Sequence, residues 1–272
     1  MNRIPVLSAL TIAGSDSGGG AGVQADLKTF AAHRVHGLSA FAALTAQNTR
    51  GVSAVHVPDT GFLRAQIDAC FDDFEIGAVK LGMLATAEVI EAVADALEHY
   101  RPAHIVLDPV MVATSGARLL EPSALDALRT RLLPLASVIT PNLPEAELLL
   151  GRAIADRAAM HGALDGLFAL GARAVLLKGG HLPDRDDVAD VVDLFAIPGE
   201  AREIAHPRLQ LDAHGTGCTL ASAVAANLCL GRTLADSCVA AADYVHDALR
   251  LGYRPGRSEV LVLDHFGAAP RA

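Results

Sequence analysis

Residues 7–22 read LSALTIAGSDSGGGAG, an apolar run (Leu7–Ala13) that passes directly into a glycine-rich segment (Gly14–Gly22). A short apolar run without alternation predicts a β-strand that is buried on both faces. The glycines that follow permit a tight turn and let a ligand approach the backbone closely. A flexible connection to a helix is the other interpretation. Gly18-x-Gly20 begins a dinucleotide fingerprint, but its third glycine position is Val23, so the spacing does not predict a Rossmann dehydrogenase.

The same order of strand and helix recurs along the chain. Four further apolar runs have strand length: Gly77–Leu81, Ile105–Leu107, Ser137–Thr140 and Val175–Leu177. The segments of helical length are amphipathic or Ala-rich: Phe62–Phe71, Ala87–His99, Ser123–Leu132, Arg157–Leu170, Thr216–Leu230 and Leu234–Leu249. This alternation predicts an α/β fold with a mostly parallel central sheet and helices on both faces. No low-complexity linker divides the chain, so residues 1–272 are expected to form a single domain.

The composition describes a globular, acidic protein. Of the 272 residues, 51% are hydrophobic and only 4% aromatic, and the net charge is −9. The apolar fraction is sufficient for a sizeable core. The 22 Lys and Arg residues form no basic run that could follow a phosphate backbone, and aromatic residues for base stacking are scarce. A nucleic-acid partner is therefore not expected.

Cysteine usage and the apolar N-terminus fit a cytoplasmic protein. Cys70, Cys218, Cys229 and Cys238 contain no C-x-x-C pair, which argues against a zinc knuckle or a redox motif. Reduced thiols in the cytoplasm are the simplest interpretation. The N-terminus resembles a signal peptide only superficially, because Pro5 interrupts its apolar run. No other apolar run reaches the roughly 18 residues of a membrane span, so no membrane partner is expected.

Charged residues follow two of the predicted strands. Asp108 comes directly after Ile105–Leu107, and Lys178-Gly179 comes directly after Val175–Leu177. In open parallel sheets, ligands bind outside the carboxyl ends of the strands. A carboxylate and a lysine at that edge fit a phosphate-binding site, although solvated strand ends would show the same pattern.

A third strand is followed by Thr140–Glu145, which reads TPNLPE. Its two prolines stiffen the turn. Asn142 and Glu145 are three residues apart and could face one pocket, where their oxygens would hold a hydrated Mg²⁺. Alternatively, Glu145 only improves a helix N-terminus.

The segment His214–Thr219, HGTGCT, opens an apolar helix. The free N–H groups of Gly215, Thr216, Gly217 and Cys218, together with the positive end of the helix dipole, would bind a phosphate. The same potential is expected to lower the pKa of the Cys218 thiol. A glycine-rich cap with Cys218 as a small buried hydrophobe is the alternative. With the carboxylates and the lysine, this turn completes the parts of a phosphoryl-transfer site, and no Walker A pattern is present.

Seven segments occur in an order that resembles one enzyme family: Thr11–Thr29, Thr45–Gly51, Lys80–Leu84, Leu107–Gly116, Ile139–Glu147, Leu177–His181 and His214–Leu220. From about Ala9 to Leu249 the chain is similar to the hydroxymethylpyrimidine/phosphomethylpyrimidine kinases of thiamine biosynthesis, in the ribokinase-like superfamily. The resemblance implies a three-layer α/β sandwich, ATP with Mg²⁺, and a homodimer. It also implies two successive phosphorylations, of 4-amino-5-hydroxymethyl-2-methylpyrimidine and then of its monophosphate.

The resemblance also implies roles for individual residues. Gln47 stands where the family has a glutamine that binds the substrate, and its amide can pair with an aminopyrimidine edge. Gly14, Asp26 and Met83 are the further candidates around the ring. Cys218 stands where many ribokinase relatives carry Asp, and is expected to take the proton of the substrate hydroxyl in the first reaction.

The end of the chain departs from the family pattern. The family usually has a lysine in its final long helix, where this chain reads Ala241-Ala242-Asp243-Tyr244. It also has a glycine-rich stretch before its last histidine, where this chain has Pro255–Glu259 before His265. Altered contacts to the nucleotide are expected from this region.

Three other functions remain open. A pyridoxal kinase of the same superfamily would phosphorylate a hydroxymethyl group on a pyridine ring. A Cys/His hydrolase or acyltransferase would use Cys218 with His214, but it has no evident orienting residue and leaves Asn142, Glu145 and Lys178 without a role. A non-catalytic pyrimidine-binding protein is the third, and only the departures near the end of the chain favour it.

Overall fold

The computed structural model describes residues 7–112, 116, 119–182 and 190–270. The strands in these residues are β1 (Ser8–Gly14), β2 (His36–Asn48), β3 (Gly51–His56), β4 (Ile76–Leu81), β5 (Ile105–Leu107), β6 (Val138–Ile139), β7 (Val175–Leu177), β8 (Asp190–Ile197), β9 (Glu200–Pro207), β10 (Ala213–His214) and β11 (Leu261–Val262). The first nine form one sheet in the order β3-β2-β1-β4-β5-β6-β7-β8-β9. Strands β2, β1 and β4–β7 are parallel, whereas β3, β8 and β9 are antiparallel to their neighbours.

Helices cover both faces of this sheet. They are α1 (Gly22–Ala32), α2 (Thr60–Asp73), α3 (Ala87–Tyr100), α4 (Ala124–Ala127, which continues into a π-helical turn, Leu128–Leu132), α5 (Leu143–Leu150), α6 (Arg157–Ala169), α7 (Thr216–Cys229) and α8 (Leu234–Arg250). One core lies between the sheet and α2–α6, and a second lies between the sheet and α1, α7 and α8. No helix in the described part of the chain is both long enough and apolar enough to cross a membrane.

The predicted α/β fold with a mostly parallel sheet is confirmed. All five predicted strands are present, and β5 and β7 have the predicted bounds. The strands of this sheet that were not predicted are β2, β3, β8 and β9, and they form its two outer parts; β10 and β11, which form a separate small sheet, were not predicted either. The four outer strands carry exposed or half-exposed side chains, because helices cover the sheet only in part there. Their sequences therefore lack the continuous apolar run that identifies the inner strands.

Side chains along each inner strand alternate between the two helical layers. On the face toward α1, α7 and α8, the positions deep in the sheet are apolar: Ala9, Ala78, Val106, Val138 and Leu176. Two residues further on, the same side of each strand carries a polar residue: Thr11, Lys80, Asp108, Thr140 and Lys178. A row of polar side chains therefore lies at the carboxyl edge of the sheet, under the first turn of α7.

Small residues let α7 lie close to the sheet. The helix packs on β1, β4 and β5, and its buried face is rich in alanine. At its far end, a Cβ on Gly77 would lie only 2.9 Å from Sγ of Cys229. This close packing brings the N-terminus of α7 down to the polar row at the strand ends.

A short two-stranded sheet holds the chain just before α7. Strand β10 pairs in parallel with β11, and Val262 of β11 also pairs with Tyr253. The side chain of Val262 reaches within 3.1 Å of the point where a Cβ on Gly20 would lie. The segment after α8 therefore braces both the turn before α7 and the glycine-rich segment after β1.

Gly179→Ala is expected to destabilise the protein, because a Cβ here would overlap the carbonyl oxygen of Val192. The backbone must shift, so the free energy of unfolding should fall by about 1–3 kcal/mol. Gly162→Ala is the control: its Cβ meets nothing within 4 Å, and alanine should stabilise α6 by up to about 1 kcal/mol. Urea unfolding measures both changes, and equal stabilities for the two variants would contradict this account of Gly179.

Candidate active site

A cavity of about 610 Å³ opens where the parallel strands end. It lies between the glycine-rich segment after β1, the ends of β4–β7 and the N-terminus of α7, and its size is that of a small-molecule site. Its walls include most of the predicted site residues: Gly14, Gln47, Met83, Asp108, Asn142, Glu145, Lys178, Gly215, Thr216, Gly217 and Cys218. Folding thus gathers residues from most of the chain around one space.

The N-terminus of α7 forms one wall. Gly215, the residue before the helix, has a left-handed conformation with φ of 88°, and no side chain caps the helix. The N–H groups of Thr216, Gly217 and Cys218 have no partner within the helix and border the cavity. A Cβ on Gly215 would overlap the carbonyl oxygen of Gly20, so this turn requires glycine. The arrangement suits a phosphate group.

Asp16 organises the glycine-rich segment. Its carboxylate accepts hydrogen bonds from the N–H groups of Gly18, Gly20 and Ala21, at 2.7, 2.9 and 2.9 Å. Burial alone would raise its pKa, but His214 and these N–H groups outweigh burial and lower the pKa. The carboxylate therefore stays charged and holds the segment in one shape.

The side chains of Gln47 and Asp16 both contact the same nitrogen atom of His214. Nε2 of His214 lies 2.9 Å from Nε2 of Gln47 and 3.0 Å from Oδ2 of Asp16. A carboxylate only accepts hydrogen bonds, so an imidazole that donates to Asp16 from Nε2 cannot also accept from the Gln47 amide there. The Gln47 amide carries two N–H groups and only one of them can be directed at His214, so the other can donate to a ligand in the cavity.

Gly14 and Met83 line the cavity together with Gln47. A Cβ on Gly14 would lie 2.9 Å from Sδ of Met83, so glycine leaves the room that the thioether occupies. The hydroxyl of Thr45 donates to the carbonyl oxygen of Ser15 at 2.7 Å and lies 3.0 Å from Oε1 of Gln47, so the amide packs against a fixed hydroxyl. An apolar thioether and a polar amide thus border the same part of the cavity.

Lys178 lies beside the anion-binding turn. Its Nζ donates to Oδ1 of Asp108 at 3.0 Å and lies 3.9 Å from Oε2 of Glu145. Burial favours the neutral amine, but the two carboxylates outweigh it and raise the pKa of Lys178. A Cβ on Gly217 would lie 3.1 Å from Nζ, so the ammonium group is in place to meet a phosphate bound at the turn.

Asn142 and Glu145 form a capping box at the start of α5. Oδ1 of Asn142 accepts from the Glu145 N–H at 2.8 Å, and Oε2 of Glu145 accepts from the Asn142 N–H at 2.8 Å. The helix-terminus interpretation of Glu145 therefore holds, and both residues also line the cavity. Burial raises the pKa of Glu145 to about 7, with Lys178 acting in the opposite direction.

The environment of Cys218 differs from the expected one. Burial raises the pKa of its thiol to about 11, whereas Lys80 lowers it and Asp26 and Asp108 raise it further. The expectation of a lowered thiol pKa is therefore wrong for the ligand-free site. Cys218 is only partly exposed at the cavity wall, and the protein packed around it disfavours the thiolate more than the positive potential at this helix end favours it.

Two predicted site residues lie behind the cavity wall. Asp26 is fully buried, and Lys80 and two hydroxyl groups occupy its carboxylate oxygens. The N–H of Gly179 donates to Oδ1 of Asp193 at 2.8 Å, so it is not free for a phosphate. Neither Asp26 nor Gly179 is therefore placed to contact a ligand in the cavity directly.

Other residues of the cavity were not predicted. Lys80 lies in one of the segments that carry the family resemblance. The sequence around it, a single lysine in an apolar run, does not indicate that it forms a buried ion pair. At the far end, His206 of β9 and His246 of α8 stack with ring centroids 5.0 Å apart. They come from separate elements, and no local pattern connects them.

A sheet whose carboxyl edge carries an anion-binding turn and an adjacent lysine has the parts of a phosphoryl-transfer site, which defines this protein as a phosphotransferase. The sheet with a helical layer on each face is the ribokinase-like fold that the resemblance implies. A model of the phosphomethylpyrimidine kinase family matches residues 16–262. The chain belongs to that family.

Individual relatives agree with this assignment. A hydroxymethylpyrimidine/phosphomethylpyrimidine kinase of Rhizobium meliloti is 49% identical over 258 residues, which are 93% of this chain and 95% of that protein. The thiamine biosynthesis bifunctional protein ThiED of Geobacter sulfurreducens is 48% identical over 251 residues, 92% of this chain, but the match spans only 50% of that protein. The structure of Staphylococcus aureus pyridoxal kinase with AMP-PCP and pyridoxal is 32% identical, with a TM-score of 0.86 over 96% of this chain and 94% of that chain.

The raised pKa of Glu145 predicts a pH-dependent stability. Folding moves this pKa from 4.5 to about 7, so the folded protein holds the proton more tightly. The stabilisation is complete below the unfolded pKa and is lost as the pH rises through the folded pKa. In metal-free buffer, the wild type should lose roughly 1–3 kcal/mol relative to Glu145→Gln between about pH 4.5 and about pH 7.5. Urea unfolding at both pH values measures this, and a pH-independent difference would contradict it.

Proposed function

We propose that the protein phosphorylates the hydroxyl group of 4-amino-5-hydroxymethyl-2-methylpyrimidine and then phosphorylates the resulting monophosphate to the diphosphate. The observation that carries the proposal is that one cavity is lined by the Gln47 amide and by an anion-binding turn at Gly215–Cys218. The first can pair with an aminopyrimidine and the second can hold the transferred phosphate. The family match and the 49% identity to the Rhizobium meliloti enzyme support the same substrate.

ATP is the proposed phosphoryl donor, and Mg²⁺ the proposed metal. The S. aureus relative was solved with the nucleotide AMP-PCP, which supports a nucleotide in this cavity. No group of three or more His, Cys, Asp or Glu side chains that could hold a metal occurs in the described ranges. Asp108 and Glu145 nevertheless supply the oxygen ligands that Mg²⁺ prefers, and Asn142 adds an amide oxygen. These residues would hold a hydrated Mg²⁺, which neutralises charge on the phosphates when bound.

Gln47 is the proposed reader of the pyrimidine. Its amide offers both a donor and an acceptor, and a 4-aminopyrimidine edge offers an amino donor beside a ring-nitrogen acceptor. Met83 would cover a face of the ring with its polarizable thioether, in the space that Gly14 leaves open. The ring would then lie between the glycine-rich segment and the end of β4.

The phosphoryl group is proposed to pass between Lys178 and the start of α7. The N–H groups of Thr216, Gly217 and Cys218 would stabilise charge on the group in transfer, and the Lys178 ammonium would hold phosphate oxygens. Asp108 and Glu145 keep Lys178 charged at neutral pH, since together they raise its pKa. The contacts of Lys178 with these two carboxylates also hold its ammonium group in position before a phosphate binds.

Cys218 is proposed to accept the proton of the alcohol. The first reaction needs such a base because its acceptor is a neutral hydroxyl, whereas the acceptor of the second is an ionised phosphate. A thiol with a pKa of about 11 is mostly protonated at neutral pH. The base therefore needs a positive charge close by.

Pyridoxal phosphorylation is the second candidate activity. The S. aureus pyridoxal kinase structure contains pyridoxal and has a TM-score of 0.86 to this chain, and this similarity of fold favours pyridoxal as a second acceptor. The identity of 32% to that enzyme is lower than the 49% to the R. meliloti enzyme, so the pyrimidine is the preferred substrate in this proposal.

Further properties stay predictions. We expect residues 1–272 to form a single domain, which one sheet from β1 to β9 with α7 and α8 packed on it supports. The family resemblance predicts a homodimer. The free cysteines in the described residues predict a cytoplasmic location.

A product assay tests the proposed function. The protein is incubated with Mg-ATP and either the hydroxymethylpyrimidine or pyridoxal, and mass spectrometry follows the products. The expected result is the pyrimidine monophosphate followed by the diphosphate, with pyridoxal phosphate formed more slowly. Absence of both pyrimidine products, with pyridoxal phosphate and ADP still formed from pyridoxal and ATP, would replace the proposal by its alternative.

Gln47→Leu should raise the KM for the pyrimidine, because the ring loses two hydrogen bonds in a partly buried site. Losing about 1–3 kcal/mol corresponds to an increase of about 5- to 150-fold. The KM for ATP should stay the same, which makes it the internal control. Steady-state kinetics with each substrate varied in turn measures both, and an unchanged pyrimidine KM would remove Gln47 from this role.

Cys218→Ala should separate the two reactions. Phosphorylation of the alcohol should fall by roughly 10²–10⁴-fold, the usual effect of losing a general base. Phosphorylation of the monophosphate should fall much less, because its acceptor is already ionised. Each reaction is measured by single-turnover kinetics with its own acceptor. Equal losses in both reactions would make Cys218 a packing or anion-binding residue.

A further inference from the structure

A fully buried ion pair lies under the first turn of α7. Nζ of Lys80 donates to both carboxylate oxygens of Asp26, at 2.9 and 2.8 Å, and both side chains have no exposure to solvent. Burying two charges is unfavourable unless their remaining hydrogen bonds are satisfied. The hydroxyls of Thr11 and Ser222 supply these bonds, each donating to one Asp26 oxygen at 2.6 Å.

This pair ties four separate elements to one point. Thr11 lies on β1 and Lys80 on β4, where the two residues are register partners, while Asp26 comes from α1. Ser222 lies on α7, four residues after Cys218, so the two α7 side chains share a face of that helix. The ion pair is therefore attached one turn below Cys218.

Lys80 also borders the cavity itself. An ammonium group has three N–H donors, and two of those of Lys80 go to Asp26. Among the described residues, no acceptor is recorded for the third donor. A Cβ on Gly82 would lie 2.9 Å from Nζ, so the backbone leaves space for the ammonium group at this strand end.

We propose that Lys80, held in place by Asp26, is a positioning residue that supplies the positive charge with which Cys218 acts as the base for the alcohol. In this step the Cys218 thiol first gives its proton to solvent while Lys80 keeps its own proton. The thiolate then takes the proton of the substrate hydroxyl as the oxygen–phosphorus bond forms and ADP leaves. The inference rests on the proposed function and adds the group that makes it possible.

The charges around Cys218 support this role. The groups that act on the thiol are Lys80 of β4, Asp26 of α1, Asp108 after β5 and the backbone N–H of Gly22, and the Lys178 ammonium also interacts with it. Lys80 is the cation that lowers the thiol pKa most, and its effect is larger than the opposing effect of either carboxylate. Burial is the largest influence, so removing Lys80 would take away the strongest of the influences that oppose it.

Thiol alkylation tests the inference without any substrate. The rate of iodoacetamide reaction at Cys218 is followed against pH by peptide mass spectrometry, which separates it from the other cysteines. Lys80→Met removes the cation, and the double variant Lys80→Met with Asp26→Asn also avoids an unpaired buried carboxylate. In both variants the midpoint of the reaction should move up by about one pH unit or more, a tenfold loss of thiolate per unit.

The kinetic arm uses the same variants. Phosphorylation of the alcohol should fall by at least about tenfold, while phosphorylation of the monophosphate should change less. Asn227→Ala is the control for general loosening of α7, because it removes a buried side chain that bonds only to Ala223 of the same helix. It should leave the alkylation midpoint unchanged.

The two proposals fail in different ways. An alkylation midpoint that is the same in the wild type and in the folded double variant would overturn the role of Lys80, whatever substrate the enzyme uses. A midpoint that moves as expected, in a protein that phosphorylates neither pyrimidine, would support the influence of Lys80 on Cys218 and refute the proposed function. Circular dichroism shows whether each variant is folded.

Discussion

The site depends on how closely helix α7 approaches the sheet. Alanines along the helix and Gly77 beneath it allow this approach, and larger residues would lift the helix away. At the other end, Gly215 touches the backbone of Gly20, so two glycine-rich segments from opposite ends of the chain meet without side chains between them. The phosphate-binding N–H groups are placed by packing, before any charged residue contributes.

Two ion pairs are then arranged beneath this helix end. Asp26 with Lys80 has no exposure to solvent and reaches the cavity only through Lys80, whereas Asp108 and Lys178 both line the cavity and adjoin Glu145. In each pair a lysine stays charged in a place where burial alone would neutralise it. Under our proposals, the pair of Asp26 with Lys80 acts on Cys218, the base for the substrate hydroxyl. The pair of Asp108 with Lys178 acts on the phosphates. Positive charge is thereby delivered to two points of an acidic protein whose surface as a whole repels anions.

The sequence predicted the inner strands and the residues at their ends because both have short-range signals. Continuous apolar runs identify strands such as β5, and Asp108 and Lys178 follow their strands directly. Contacts between residues that are far apart in the sequence cannot be predicted from such short patterns. At Cys218, burial raises the thiol pKa more than the helix end lowers it, and this burial comes from elements distant in the chain. The ion pair of Asp26 with Lys80 likewise joins residues that are far apart in the sequence. The outer strands were missed because half-exposed strands lack the apolar run.

The pairing of β10 with β11 has a consequence for biosynthesis. Residues 261–262 complete the support of the turn that precedes α7, although every other wall of the cavity is made earlier in the chain. A chain still attached to the ribosome can form the large sheet and its core, since domains begin to fold during synthesis. It cannot brace the phosphate-binding turn until these last residues emerge. Catalytic competence is thus reserved for chains synthesised through β11.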